Sequence, residues 1–233
     1  MKKFTGMLFT AMFAMASAQA QVVTFDFTAK VHGLDTSGGK VIGPGFDIAA
    51  GDTVHGRFSF DVATPLSTLV DWTPAYKSRL YEGPQHPVLA AFTVDRNGQT
   101  SAIGHPSASS ILVENAPVSL GGDSLKFQTS IHAPDWSQGS WVALTFNDRT
   151  GTALDSMSIP GSFSLSAFHS ASFIFGWSDN TKNTHLNTGG YGTITSLTQV
   201  VTSPVPEPTT YAMFAVGLVA VGAMARRKAA PQT

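Results

Sequence analysis

The chain has 233 residues, no cysteine, and 14 Lys+Arg against 15 Asp+Glu. Without cysteine, disulfides, thiolate catalysis, cysteine-bound zinc and iron–sulfur clusters are excluded. Five of the bases (Lys2, Lys3, Arg226, Arg227 and Lys228) lie near the two ends, so the middle is left with an excess of acids. Nucleic acid, whose binding needs a basic footprint, is therefore not an expected partner.

In chain order, Met1-Lys2-Lys3 is a short positive segment, followed by an uncharged, mostly apolar run from Phe4 to Ala16. Ala16-Ser17-Ala18 and Ala18-Gln19-Ala20 then supply the small residues of a signal-peptidase site, so residues 1–20 are expected to be a cleaved signal peptide. Residues 21–203 suffice for one domain. Period-two alternation marks strands over Val23–Val31 and Val54–Val62, where Val54, Phe58, Phe60 and Val62 share one face. Further strands are expected at Val88–Asp95, Ser110–Glu114, Ser124–Ile131, Trp141–Asn147, Ser162–Phe168, Ala171–Trp177 and Thr193–Val201. Asn97-Gly98 signals a hairpin, both residues tolerating positive φ. Within residues 21–203, Thr68–Tyr81 is the one place where a short helix is expected. Many short strands with turn punctuation predict an all-β fold: a single β-sandwich of jelly-roll type, flanked by the signal peptide and a short C-terminal apolar helix.

The character changes at Val205-Pro206-Glu207-Pro208. Two prolines around one glutamate bias this segment to extended geometry, which a processing enzyme can bind. Tyr211 to Ala225 carries no charge and spans about 22 Å as a helix, a marginal length for a bilayer. Arg226-Arg227-Lys228 would stay on the cytoplasmic side, leaving the domain on the other.

These three parts in this order resemble the PEP-CTERM sorting domain of Gram-negative bacteria that make extracellular polysaccharide. The resemblance covers residues 204–228 and rests on Pro206, Glu207, Pro208, Arg226 and Arg227. It implies an exosortase-type membrane transpeptidase as a partner, with signal peptidase, and delivery to the cell surface or extracellular matrix after transient membrane anchoring. The middle is also similar to a common uncharacterised PEP-CTERM type, through Gly51–Asp61, Asn115, Gly122-Asp123-Ser124-Leu125, Asp148–Thr152 and Thr195–Thr198. That likeness supports fold and destination, and transfers no catalytic residue.

The middle shows no reaction motif. His32, His55, His86, His105, His132, His169 and His185 are too scattered for an H-x-H or H-x-x-x-H metal pair. Gly176-Trp177-Ser178-Asp179-Asn180 lacks the last glycine of a nucleophile elbow, and Gly33–Lys40 lacks the spacing and hydroxyl of a phosphate loop. Glu82 and Glu114 give no reason to nominate either as a glycosidase acid. No catalytic residue, metal ligand or cofactor is expected; Asp123 and Asp135, read as turn residues, are the candidates for any calcium site.

Trp72 and Trp136 fall in polar, proline-containing loops, where an indole would offer a sugar ring a flat face. The competing reading packs Trp72, Trp136, Trp141 and Trp177 into the core. The expected function is a non-enzymatic surface or matrix component, with binding of the secreted polysaccharide as the alternative and its hydrolysis third. Binding predicts Trp72 or Trp136 exposed beside a groove; hydrolysis predicts two carboxylates converging in a cleft.

Overall fold

The computed structural model describes residues 21–36, 47–71, 76–181 and 186–201. The expected signal peptide and C-terminal helix lie outside them. The two clearest alternating segments become β1 (Val22–Thr36) and β2 (Thr53–Asp61). They are followed by β3 (Leu66–Asp71), β4 (Lys77–Tyr81), β5 (Leu89–Val94), β6 (Thr100–Ile103), β7 (Ala108–Asn115), β8 (Asp123–His132), β9 (Gln138–Asp148), β10 (Ser170–Asp179) and β11 (Leu186–Val200). Strands hold 60 % of the described residues and helix 4 %, so the all-β expectation stands. None of the described helices is long and apolar enough to cross a membrane.

All eleven strands join one antiparallel sheet in the order β3-β4-β7-β8-β9-β10-β11-β1-β2-β5-β6. Where two separate facing sheets were expected, there is one ladder curled on itself. β2 and β8 stand five places apart in that order, yet Phe60 and Phe127 meet with ring centroids 4.5 Å apart. Phe92 of β5 likewise meets Phe173 of β10 at 4.9 Å. Two register shifts between β1 and β11, at Thr28/Ala29 and Val31/Gly33, add the local bending that a curled sheet needs.

The inner face carries the core. Phe25, Phe27, Phe58, Phe60, Phe92, Phe127, Phe146 and Phe173 are all buried there. Each such ring removed from water contributes roughly 1.5–3 kcal/mol, which explains how a chain without disulfides closes its core. Gly56 of β2 lets the Phe27 ring lie across the strand, where a side chain would collide with it.

Two local expectations need correction. The described residues of Thr68–Tyr81 are not helical: they supply most of β3 and all of β4, which pair antiparallel and set Asp71 opposite Lys77. Cross-strand pairing outweighs the weak helical pattern, and Pro74 denies a helix continuity. Ser162–Phe168 is not a strand but lies in the long β9–β10 connection, with a single 3-10 turn at Leu165–Ala167. Its apolar residues serve the core at a wider spacing, Phe163 and Phe168 both packing on Phe146 with centroids 5.1 and 5.6 Å away. The expected Asn97-Gly98 hairpin is present: it leads into β6 (Thr100–Ile103), which pairs with β5. Only Gly98 there adopts positive φ, at +69°.

Candidate functional site

The β8–β9 hairpin closes through Ala133-Pro134-Asp135-Trp136-Ser137. The Trp136 amide donates to the Ala133 carbonyl (2.9 Å) and the Ala133 amide to the Gln138 carbonyl (2.8 Å). Asp135 Oδ1 accepts from the Ser137 hydroxyl (2.6 Å) and amide (3.0 Å), which holds its carboxyl below the usual range. Proline at the second turn position and an aspartate bonded two residues on are ordinary turn chemistry. Trp136 is not. It sits at φ +59°, alone among the described non-glycine residues in having positive φ. That conformation costs a residue with a Cβ roughly 1–2 kcal/mol, and glycine would avoid it. The indole is nonetheless 67 % exposed, stacked on the His132 ring at 4.5 Å between centroids.

His132 opens onto a larger surface. Register places Trp141 beside Gly176 and Gly189, Ile174 beside Tyr191, Tyr191 beside Gly33, and His132 beside Gly139. These residues alternate with Val142, Leu144, Phe173 and Phe175 of the core, so they form the outer face of β8, β9, β10, β11 and β1. Three rings there lie across glycines. Any side chain at Gly176 would collide with the Trp141 indole, and one at Gly139 with the His132 ring. A Cβ at Gly33 would stand 2.7 Å from the Tyr191 hydroxyl. Glycine seats let aromatic rings lie down on a sheet. The result is an open groove of about 860 Å³, bordered by Asp35, His132, Trp141, Ile174, Asn187 and Tyr191. Such a surface suits a ligand with flat apolar faces and a polar rim.

Of the two nominated tryptophans, Trp136 is therefore exposed and flanks this groove, while Trp72 lies outside the described residues. Trp141 and Tyr191 were not nominated from sequence. Trp141 falls in an apolar strand, and nothing but its pairing with Gly176 reveals that it faces outward.

Carboxylates converge at two described places: Asp47 and Asp52 share the Arg96 guanidinium, and Asp123 meets Asp148 where β8 begins. Asp123 and Asp148 are ladder partners, each 1 % exposed. Asp123 accepts from the amides of Leu154 (2.8 Å) and Ala116 (3.3 Å). Asp148 accepts from the amides of Thr150, Thr152 and Ala153, the Thr150 hydroxyl and His169 Nδ1. The amides of Thr150 and Thr152 chiefly, with the Thr150 hydroxyl and His169, hold the Asp148 carboxyl far below the usual range. Both acids organise loops; Asp148 also borders a hollow of about 430 Å³ with Thr150, Thr152 and His169, where its oxygens are already bonded to the loop. This corrects the reading of Asp123 as a solvated turn residue. Asp123 opens β8 and Asp135 follows its other end, so the structure does not bring the two calcium candidates together. Glu82 and Glu114 also stand apart, bonded to Ser67 (3.0 Å) and to Tyr76 respectively.

Another hollow, about 560 Å³, lies over β1, β2 and β5. Beside it, His55 links Thr28 (Oγ1 to Nδ1, 3.0 Å) to Asp95 (Nε2 to Oδ2, 3.0 Å). The order hydroxyl–imidazole–carboxylate is that of a nucleophile relay. Here, however, the side chains of His55 and Asp95 are 59 % and 46 % exposed, and Thr28, His55 and Thr93 are consecutive partners in the ladder. The trio is a cross-strand polar ladder on an open sheet face.

Residues 204–228 match the family model of the PEP-CTERM protein-sorting motif. The chain carries a PEP-CTERM sorting signal. Such a motif is recognised by exosortases and marks an exported protein sorted at the membrane to the cell surface. Pro206, Glu207, Pro208, Arg226 and Arg227 fall within the match and outside the described residues. No curated protein and no solved structure matches the chain.

Proposed function

We propose that this PEP-CTERM protein is a non-enzymatic component of the cell surface or extracellular matrix whose β-domain adheres to polysaccharide through the Trp136 face. One observation carries the reading: Trp136 keeps an exposed indole at φ +59°, at the edge of an aromatic groove, where glycine would be the more stable choice. Conformational strain kept at an exposed aromatic residue points to use rather than to packing. Sorting by an exosortase supports the same reading, because it delivers the domain to the outside of the cell.

Affinity electrophoresis through gels containing the host's extracellular polysaccharide tests it. Binding should retard the chain, and Trp136→Ala should weaken the interaction about tenfold, as loss of one good stacking contact implies. Equal mobility with and without polysaccharide would sink the adhesive reading. The sorting half has its own test, the mass of the mature protein from membrane and extracellular fractions. Cuts near Ala20 and Pro206 are expected, and an intact tail confined to the membrane fraction would argue for a permanent anchor instead.

A further inference from the structure

We propose that the groove takes an extended, uncharged polysaccharide segment, laid across β8–β11 from the Trp136–His132 stack to Tyr191. This rests on the polysaccharide-binding reading above and adds the charge class and the length of the ligand.

Charge class follows from what borders the groove. Asp35 stands there beside Gly189, and among the described residues no lysine or arginine lines it. Lys30 and Lys126 occupy this side of the sheet only in the row beyond Tyr191, opposite Thr193 and Thr145. A uronate entering the groove would lose water beside a carboxylate with no cation among the described lining residues to compensate it. A neutral pyranose offers an apolar face to Trp141 and Tyr191 and hydroxyls to Asp35, Ser178 and Asn187, with no charge to desolvate.

Length follows from the register. Trp141 and Tyr191 sit on strands two places apart and one outward-facing position out of line. Strand spacing and rise put their Cα atoms about 12 Å apart, and Trp136 joins the groove's border only through its stack on His132. A single sugar cannot reach all three. A peptide strand is the wrong occupant, because β8, β9, β10 and β11 are each paired on both sides and offer no edge.

Calorimetric titration of the purified chain decides this, using neutral di- and hexasaccharides of β-glucan, mannan and xylan, and an oligouronate of equal length. At least one neutral hexasaccharide should bind about tenfold or more tightly than its disaccharide, while the oligouronate should not bind measurably. Tyr191→Ala should remove most of the hexasaccharide's advantage, and Asp35→Asn should admit the oligouronate. Thermal melts identify any variant that has failed to fold; Tyr191→Phe, which keeps the ring, then stands in and should retain binding. Tighter binding of the oligouronate, or equal affinity for di- and hexasaccharide, would overturn the proposal and leave Trp136-dependent adhesion standing. If no glycan binds at all, the adhesive reading falls with it.

Discussion

At one end of the β8–β9 hairpin, Asp123 and Asp148 stand opposite each other, buried, their oxygens taken up by amides of the flanking loops. At the other end, the same two strands are joined through Trp136, exposed and in a conformation that suits glycine. The first end uses each residue where its chemistry is most favourable: Gly122, at φ +80°, packs so closely on the Asp148 carbonyl that no side chain would fit. The second end accepts a local cost to keep an aromatic ring in water. Two ends of one hairpin thus separate what holds this fold from what the fold presents. Gly122–Leu125 and Asp148–Thr152 both belong to the first end.

The largest expected effect lies at the scaffold end. Asp123→Ala leaves the Leu154 and Ala116 amides without an acceptor in a buried setting, and should lower stability by about 3 kcal/mol. Urea denaturation measures it. A loss below about 1 kcal/mol, within the ordinary range for an exposed substitution, would show that the loop finds other acceptors and that the two ends differ less than the geometry says.

A smaller, conditional effect comes from pH. The folded Asp148 carboxyl titrates well below its unfolded value of 3.8. As pH falls below that value, the unfolded chain takes up a proton that the folded chain refuses, so stability is full above about pH 5 and is lost progressively on acidification. Asp26, Asp47 and Asp52, lowered chiefly by hydrogen bonds from Arg57 or Arg96, act in the same sense at more open positions. Asp148→Asn should therefore start from a lower stability at pH 7 and lose less of it between pH 5 and pH 3 than the parent chain. An undiminished acid loss in that variant would move the effect to the arginine-paired aspartates.

How far the sequence discloses this depends on which physical signal carries each part. Alternation over Val54–Val62 and Val23–Val31 is local, and it places β2, β1 and the inward phenylalanines correctly. Curling of one sheet in place of two layers is not local: it depends on which distant strands pair, and the Phe60–Phe127 contact joins strands five places apart in the ladder. The same limit hides the groove. Trp136 could be singled out from its loop, but its positive φ follows from turn closure between Ala133 and Gln138. Trp141 looks like core in sequence because its neighbours Val142 and Leu144 are core, and only the register with Gly176 turns it outward. The helical reading of Thr68–Tyr81 failed for a related reason, since β3 and β4 gain their stability from each other. The sorting motif is the opposite case, a contiguous pattern legible without any fold.

The smallest effect is also the sharpest test of the comparison, because it separates the backbone of Trp136 from its ring. Trp136→Ala and Trp136→Gly both remove the indole, so both should lose the stacking on His132 and the polysaccharide affinity that depends on it. They differ in the backbone. Alanine keeps a Cβ in the left-handed region, whereas glycine adopts φ +59° freely. At an ordinary strand position, glycine is the less stable of the two by roughly 0.5–1 kcal/mol. Here the order should reverse, with Trp136→Gly the more stable by about 1 kcal/mol. A paired denaturation experiment on the two variants reads that difference without the ring's own contribution, which cancels. Alanine proving as stable as glycine would mean that the turn relaxes out of the left-handed region once the indole is gone. The ring's contact with His132 would then be what holds the backbone there, and Trp136 would belong with the scaffold rather than with the surface it borders.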